Sequence, residues 1–143
     1  MQNHEIFYPV CAQVFLALII QYWVVSGRVK AIKKARINPQ AIASAERFDE
    51  IMKGQEDISD NFENLFEVPV LFFVAAILIF SLQLTDAFYL ITGWSFVILR
   101  YLHSYIHCTY NRITDRFMVY LLSSAIVWAM WIKIAFQLAD YSK

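Results

Sequence analysis

The chain has 143 residues, room for one domain and not for two. It is 59% hydrophobic, 17% aromatic and 17% charged, where soluble chains run at about 45–50% apolar and about 25% charged. Twelve basic and twelve acidic side chains give zero net charge, which removes any bulk electrostatic case for nucleic acid, and three glycines and three prolines are too few for a turn-rich β-protein.

In chain order, the first apolar block is Ile6–Val25. It has no basic leading region and no small-x-small cleavage site, and basic residues follow it, so a retained helix is expected rather than a secretory signal. "SGRVKAIKKAR" extends this helix with a basic face, and "INPQ" is expected to break it, because the residue before a proline is pushed out of helical geometry. The connection of roughly 26–63 is too long for a bare linker; "QAIASAERFDEIM" is helix-compatible, Gly54 punctuates it, and "EDISDNFENLFE" leads into the second block, Val68–Leu84. The third block, Ala87–Leu99, continues through mixed residues to about Ile106, and the fourth is Phe117–Leu138.

A helix needs about 20 largely apolar residues to cross a bilayer. The outer blocks reach that outright and the middle two with their polar ends. A soluble bundle would carry a polar stripe along each helix, and "VLFFVAAILIFSL" and "FMVYLLSSAIVWAMWI" carry none. No segment alternates with period two, so a transmembrane β-barrel is excluded. The expected fold is all-α, an integral-membrane four-helix bundle with helices at about 6–34, 61–84, 87–110 and 114–138, forming one domain over 1–143. Basic residues cluster between helices 1 and 2 and between helices 3 and 4; the positive-inside rule then puts both basic loops in the cytoplasm and both termini outside. Lys133, about a turn from the end of helix 4, is expected to snorkel. Cys11 and Cys108 fall toward opposite faces and are expected as plain thiols.

Polar residues are arranged in stripes. Lys53, Asp57, Asp60, Asn64 and Glu67 share a face if the helix is continuous to Glu67, although Pro69 marks a kink or a first turn. Arg100, His103, His107 and Asn111 follow at intervals of three, four and four, and Arg116, Tyr120 and Ser123 open helix 4. All three stripes lie at the same end of the bundle and describe one polar pocket, with Arg100 and Arg116 as partners for Glu67. An ionisable residue at membrane depth marks function by default, whereas polar helix ends are also ordinary near headgroups. His103 and His107 have metal-ligand spacing, but no Glu accompanies them, and no metal is expected.

Three local patterns resemble one family, the membrane-associated proteins in eicosanoid and glutathione metabolism (MAPEG), across nearly the whole chain. "GRVKAIKKARINPQA" is similar to the family's basic extension of helix 1, with Lys30 at a glutathione-contacting position. Asn64-x-x-Glu67 before Pro69 resembles the family's glutathione-binding N-x-x-E. "RYLHSYIHCTYNRITDRFMVY" resembles the pattern of the prostaglandin synthase members, where an arginine matching Arg116 lies near the glutathione sulfur. The resemblance implies glutathione held by Lys30, Asn64, Glu67, Arg100 and His103. Arg116 and Tyr120 would be catalytic, acting on hydrophobic electrophiles or lipid hydroperoxides drawn from the bilayer. It also implies a homotrimer with sites between subunits. Departures are Asp60 and Glu63 where the family has basic residues, Gln40–Ala41 after the N-P, Phe117 after the arginine and His107 for a tyrosine. They argue against prostaglandin synthesis and leave, as alternative, a non-catalytic lipid- or partner-binding protein. The absence of a targeting peptide suits a bacterial inner membrane.

Overall fold

A computed structural model describes residues 2–36 and 45–141. A single turn of 3-10 helix, Asn3–Ile6, runs into α1 (Phe7–Ala35). Then come α2 (Ala45–Ile51), α3 (Glu56–Asn64), α4 (Val68–Ser81), α5 (Ala87–Cys108) and α6 (Ile113–Tyr141), with no strand among the described residues. The expected break at "INPQ", together with Gln40–Ala41, lies outside the described residues, although α1 already ends at Arg36, whose φ of 53° is left-handed.

Among the described residues, three segments are long and apolar enough to cross a bilayer: Asn3–Ala35, Glu56–Ser81 and Ile113–Asp140. The 22-residue α5 runs with them, but its last two turns carry buried Arg100, His103, Ser104 and His107. Hence the chain is an integral membrane protein built as an all-α bundle. α5 packs most extensively on α6, α1 packs on α5 and α4, and α4 packs on α6, so α1 and α6 occupy opposite corners.

One apolar cluster joins the helices at the end bearing the N-terminal turn, with Ile6, Phe72, Ile79, Phe96, Val127, Met130 and Ile134 all buried. A second, around Leu16, Ile20, Val24 and Leu65, lies nearer the long connection. Small residues permit the close approaches, as expected where bilayer helices gain from packing rather than from escape from water. Ala75 and Ala76 are fully buried, and a Cβ on Gly93 of α5 would sit 3.2 Å from Cγ of Pro9 in α1.

The helix expected over 61–84 is divided. α3 stops at Asn64, a turn occupies Leu65–Glu67, and α4 restarts with Pro69 in its first turn. Proline has no N–H to give and tolerates only the first turn, so the restart follows from Pro69. Glu67 thus becomes the residue before α4, and its side chain makes no cap hydrogen bond to the helix.

At the opposite end, the turn Leu82–Asp86 is closed by Leu84 N–H donating to the Ile79 carbonyl at 2.9 Å, with Gln83 at φ 55°. Asp86 caps α5, accepting from Tyr89 N–H at 3.0 Å. Lys133 donates to the Asp86 carboxylate, with its ammonium 4.6 and 4.5 Å from the Phe88 and Tyr89 ring centroids.

Candidate functional site

The break between α3 and α4 shapes the site. It turns Asn64 and Glu67 toward the start of α6, and with His103 of α5 and Ile113, Arg116, Phe117 and Tyr120 of α6 they line a cleft of about 320 Å³. Five of the seven residues singled out from the sequence therefore meet at one cavity.

Arg100 stands one turn behind His103 and is fully buried. Its Nη2 donates to the backbone carbonyl of Asn64, and its guanidinium lies 5.7 Å from the centroid of the Tyr120 ring. Nε and Nη1 have no protein partner. Arg100 thus braces the turn that carries Asn64 and backs the wall of the cleft.

The expected pairing of Glu67 with Arg100 or Arg116 is not made. Glu67 is exposed and accepts from the Tyr120 hydroxyl at 3.5 Å. The physical reason is the turn: it spends Asn64's carbonyl on Arg100, and leaves the Glu67 side chain at the mouth of the cleft. Arg116 is held from the other side. Its Nη1 donates to Asn111 Oδ1 at 2.8 Å and lies 3.1 Å from His107 Nε2. A guanidinium can only donate, so Nε2 of His107 is the acceptor and the proton is on Nδ1. Similarly, His103 Nδ1 lies 3.3 Å from the Arg116 carbonyl, which can only accept. His103 therefore presents an unprotonated Nε2, buried and without a protein partner, in a residue that lines the cleft.

Asn111 is the keystone of this arrangement, and it was noted in the sequence only as the end of a stripe. It adopts φ 44°, its N–H donates to the Ile106 carbonyl at 2.8 Å, and its Nδ2 donates to Asp57 Oδ1 at 2.7 Å. Asparagine tolerates the left-handed region better than most side chains, so one residue both ends α5 and orients Arg116. One buried polar group was missed. Asn61 is fully buried, accepts from Ser104 Oγ at 3.2 Å and donates to Cys108 Sγ at 3.4 Å. Its place on the inward face with Ile58 and Leu65, opposite Ser104 and Cys108 at i and i+4, is the signal that was there to find.

Lys30 is not at this cleft. It lines a separate cavity with Gly27, Lys34, Glu50, Lys53 and Gln55. Asp60, the reversed charge of most concern, also lies elsewhere, beside Arg28, Phe48 and Met52, and Glu63 is exposed. The His103 and His107 rings are 5.7 Å apart between centroids, and among the described residues no three His, Cys, Asp or Glu side chains converge as a metal set would. Cys11 and Cys108 are both free thiols.

A family model described as the MAPEG family matches residues 6–136. No curated protein and no solved structure matches the chain.

Proposed function

The chain belongs to the MAPEG family, and from that premise we propose that it is a glutathione-dependent transferase or peroxidase acting on hydrophobic electrophiles or lipid hydroperoxides. The observation that carries this reading is the convergence of Asn64, Glu67, His103, Arg116 and Tyr120 on one cleft. Its volume falls at the lower end of the roughly 300–1,000 Å³ of small-molecule sites.

The residues suit an anionic, zwitterionic peptide. Glu67 at the mouth accepts from an ammonium group. The guanidinium of Arg116 offers donors to carboxylate or thiolate, and Arg100, buried behind the wall, holds the Asn64 end of the cleft in place. Bound glutathione supplies a thiol, whose reactive form is the thiolate. Arg116, its direction set by Asn111 and His107, favours that anion by its charge. His103 Nε2 is the candidate acceptor of the thiol proton, and the Tyr120 hydroxyl, now on Glu67, turns to donate to charge developing on the acceptor substrate. The flanking apolar residues Ile113 and Phe117 suit a substrate that arrives through the bilayer.

Lys30, which lines a separate cavity of its own chain, would in this reading reach the glutathione site only from a neighbouring copy, in a homotrimer whose sites lie between subunits. In this reading the protein sits in an inner membrane with both basic loops in the cytoplasm.

The test is titration of the detergent-purified protein with glutathione, following thiolate absorbance and conjugation to an aryl halide. Saturable thiolate formation that is lost in Arg116→Ala supports the enzyme. No binding at millimolar glutathione refutes it, and leaves a non-catalytic membrane binding protein of the same fold.

A further inference from the structure

The cavity that holds Lys30 is larger than the candidate catalytic cleft, about 690 Å³, and shares none of its lining residues. Its construction is legible from helix geometry. Gly27, Lys30, Ala31 and Lys34 recur at three, four and seven residues along α1 and so share one face. The glycine and alanine form a low floor, and the two lysines rise beside it. Lys53, Glu50 and Gln55 supply the opposite wall. The floor is tight: a Cβ on Gly27 would lie 2.0 Å from Gln55 Oε1, so glycine is what lets that amide rest against the helix.

Position narrows the ligand. The apolar run of α1 ends at Val25, just after the exposed Trp23, and the cavity begins two residues later. Interfacial tryptophans mark headgroup depth, so the cavity opens where lipid phosphates lie. Three ammonium groups face one carboxylate there, and among the described residues no ion pair within 4 Å engages Lys30, Lys34 or Lys53. Unpaired lysines attract phosphate oxygens, whereas Glu50 and Gln55 Oε1 want hydrogen-bond donors. A phosphodiester that carries hydroxyls and a net negative charge satisfies both sets.

We propose that the cleft between the end of α1 and the α2–α3 turn binds the phosphate of an anionic glycerophospholipid headgroup, with Lys34 and Lys53 as its principal contacts. The site requires no catalysis and does not depend on glutathione binding at the other cleft. It also gives the long connection a reason to dock against α1 at the membrane surface.

The experiment uses the full chain in phosphatidylcholine nanodiscs, titrated with short-chain phosphatidylglycerol while tryptophan emission is followed. Basic side chains at a membrane surface contribute about 1 kcal/mol each, so the Lys34→Ala, Lys53→Ala double variant is expected to bind about thirty-fold more weakly. The Lys34→Arg, Lys53→Arg variant is expected to restore binding. Glu50→Gln, which removes only the opposing carboxylate, is expected to tighten it several-fold, and so keeps the test alive should the double alanine variant fail to fold. Inorganic phosphate is the second arm. If it competes only at concentrations far above the lipid's, the lipid is the source of the phosphate group; if it binds the same lysines equally well, a soluble phosphate takes the lipid's place and the lipid assignment falls. Equal phosphatidylglycerol binding by wild type and every variant overturns the site. Glutathione titration of the same variants is expected to be unchanged, which separates this result from the fate of the catalytic proposal.

Discussion

His107 Nε2 accepts from Arg116 Nη1 at 3.1 Å, and Asn111 Oδ1 takes the same nitrogen at 2.8 Å. Two residues at the end of α5 thereby hold the one guanidinium that reaches the cleft from α6. The backbone and side-chain roles of Asn111 can be separated. Asn111→Gly keeps the left-handed turn and removes the acceptor, so stability should change little while thiolate formation shifts to higher pH and conjugation falls by about tenfold or more. A hydrogen bond to a charged group contributes about 1.5–3 kcal/mol. Asn111→Ala should show the same functional loss plus about 1–2 kcal/mol of left-handed strain. Spectroscopic pH titration of bound glutathione, beside thermal melts, checks both.

Arg100 makes a different prediction, because it braces rather than faces the substrate. Arg100→Met removes a buried charge together with its donor to the Asn64 carbonyl, so the turn between α3 and α4 loses its tie to α5. Glutathione affinity should fall at least tenfold. Arg100→Lys should not rescue it, since a single ammonium cannot reach the Asn64 carbonyl and lie over the Tyr120 ring as the planar guanidinium does. Calorimetric titration of the two variants measures this, and wild-type affinity in Arg100→Met would remove Arg100 from the site.

The pair at the other end predicts a pH response. Partial burial pushes the Asp86 carboxyl upward, but the hydrogen bond and charge of Lys133 and the N–H of Tyr89 outweigh it and hold the group below its ordinary value. A folded-state value below the unfolded one means the stabilisation is complete above about pH 4 and is lost as pH falls through the folded value. The carboxylate is partly exposed, so screening limits the effect to about 1 kcal/mol or less. Melting temperatures of wild type should therefore drop on acidification below about pH 4, and those of Asp86→Asn should lack that component of the drop.

Two glycines should respond differently to an added side chain. At Gly93 a methyl group meets the Pro9 ring at 3.2 Å and the Phe72 ring at 3.7 Å, both within the packed core. The helix-propensity gain of about 1 kcal/mol is then cancelled, and Gly93→Val should destabilise by about 1–3 kcal/mol. At Gly27 the obstacle is only the end of Gln55, a flexible side chain that can swing away. Gly27→Ala should leave the melt unchanged or raise it slightly while weakening phosphatidylglycerol binding, as thermal melts and lipid titrations together would show.

Sequence by itself determined the four apolar helices, the division at Pro69 as a possibility, and the gathering of polar stripes at one end. These follow from short-range physics: the length of a span, the 3.6-residue period and the missing N–H of proline. The same local patterns carried the family, and five of the seven chosen site residues do line one cleft. What only the tertiary structure decided is which polar group meets which. Arg100, His103 and His107 share a stripe, yet one braces a backbone turn, one faces the cleft and one holds Arg116. Lys30 looked like a member of that group and belongs in a single chain to a different cavity. Periodicity assigns a side chain to a helix face, but its partner is set by the packing of α3, α5 and α6 and by a break of three residues. That break left Glu67 at the mouth of the cleft, on Tyr120, and not between two arginines.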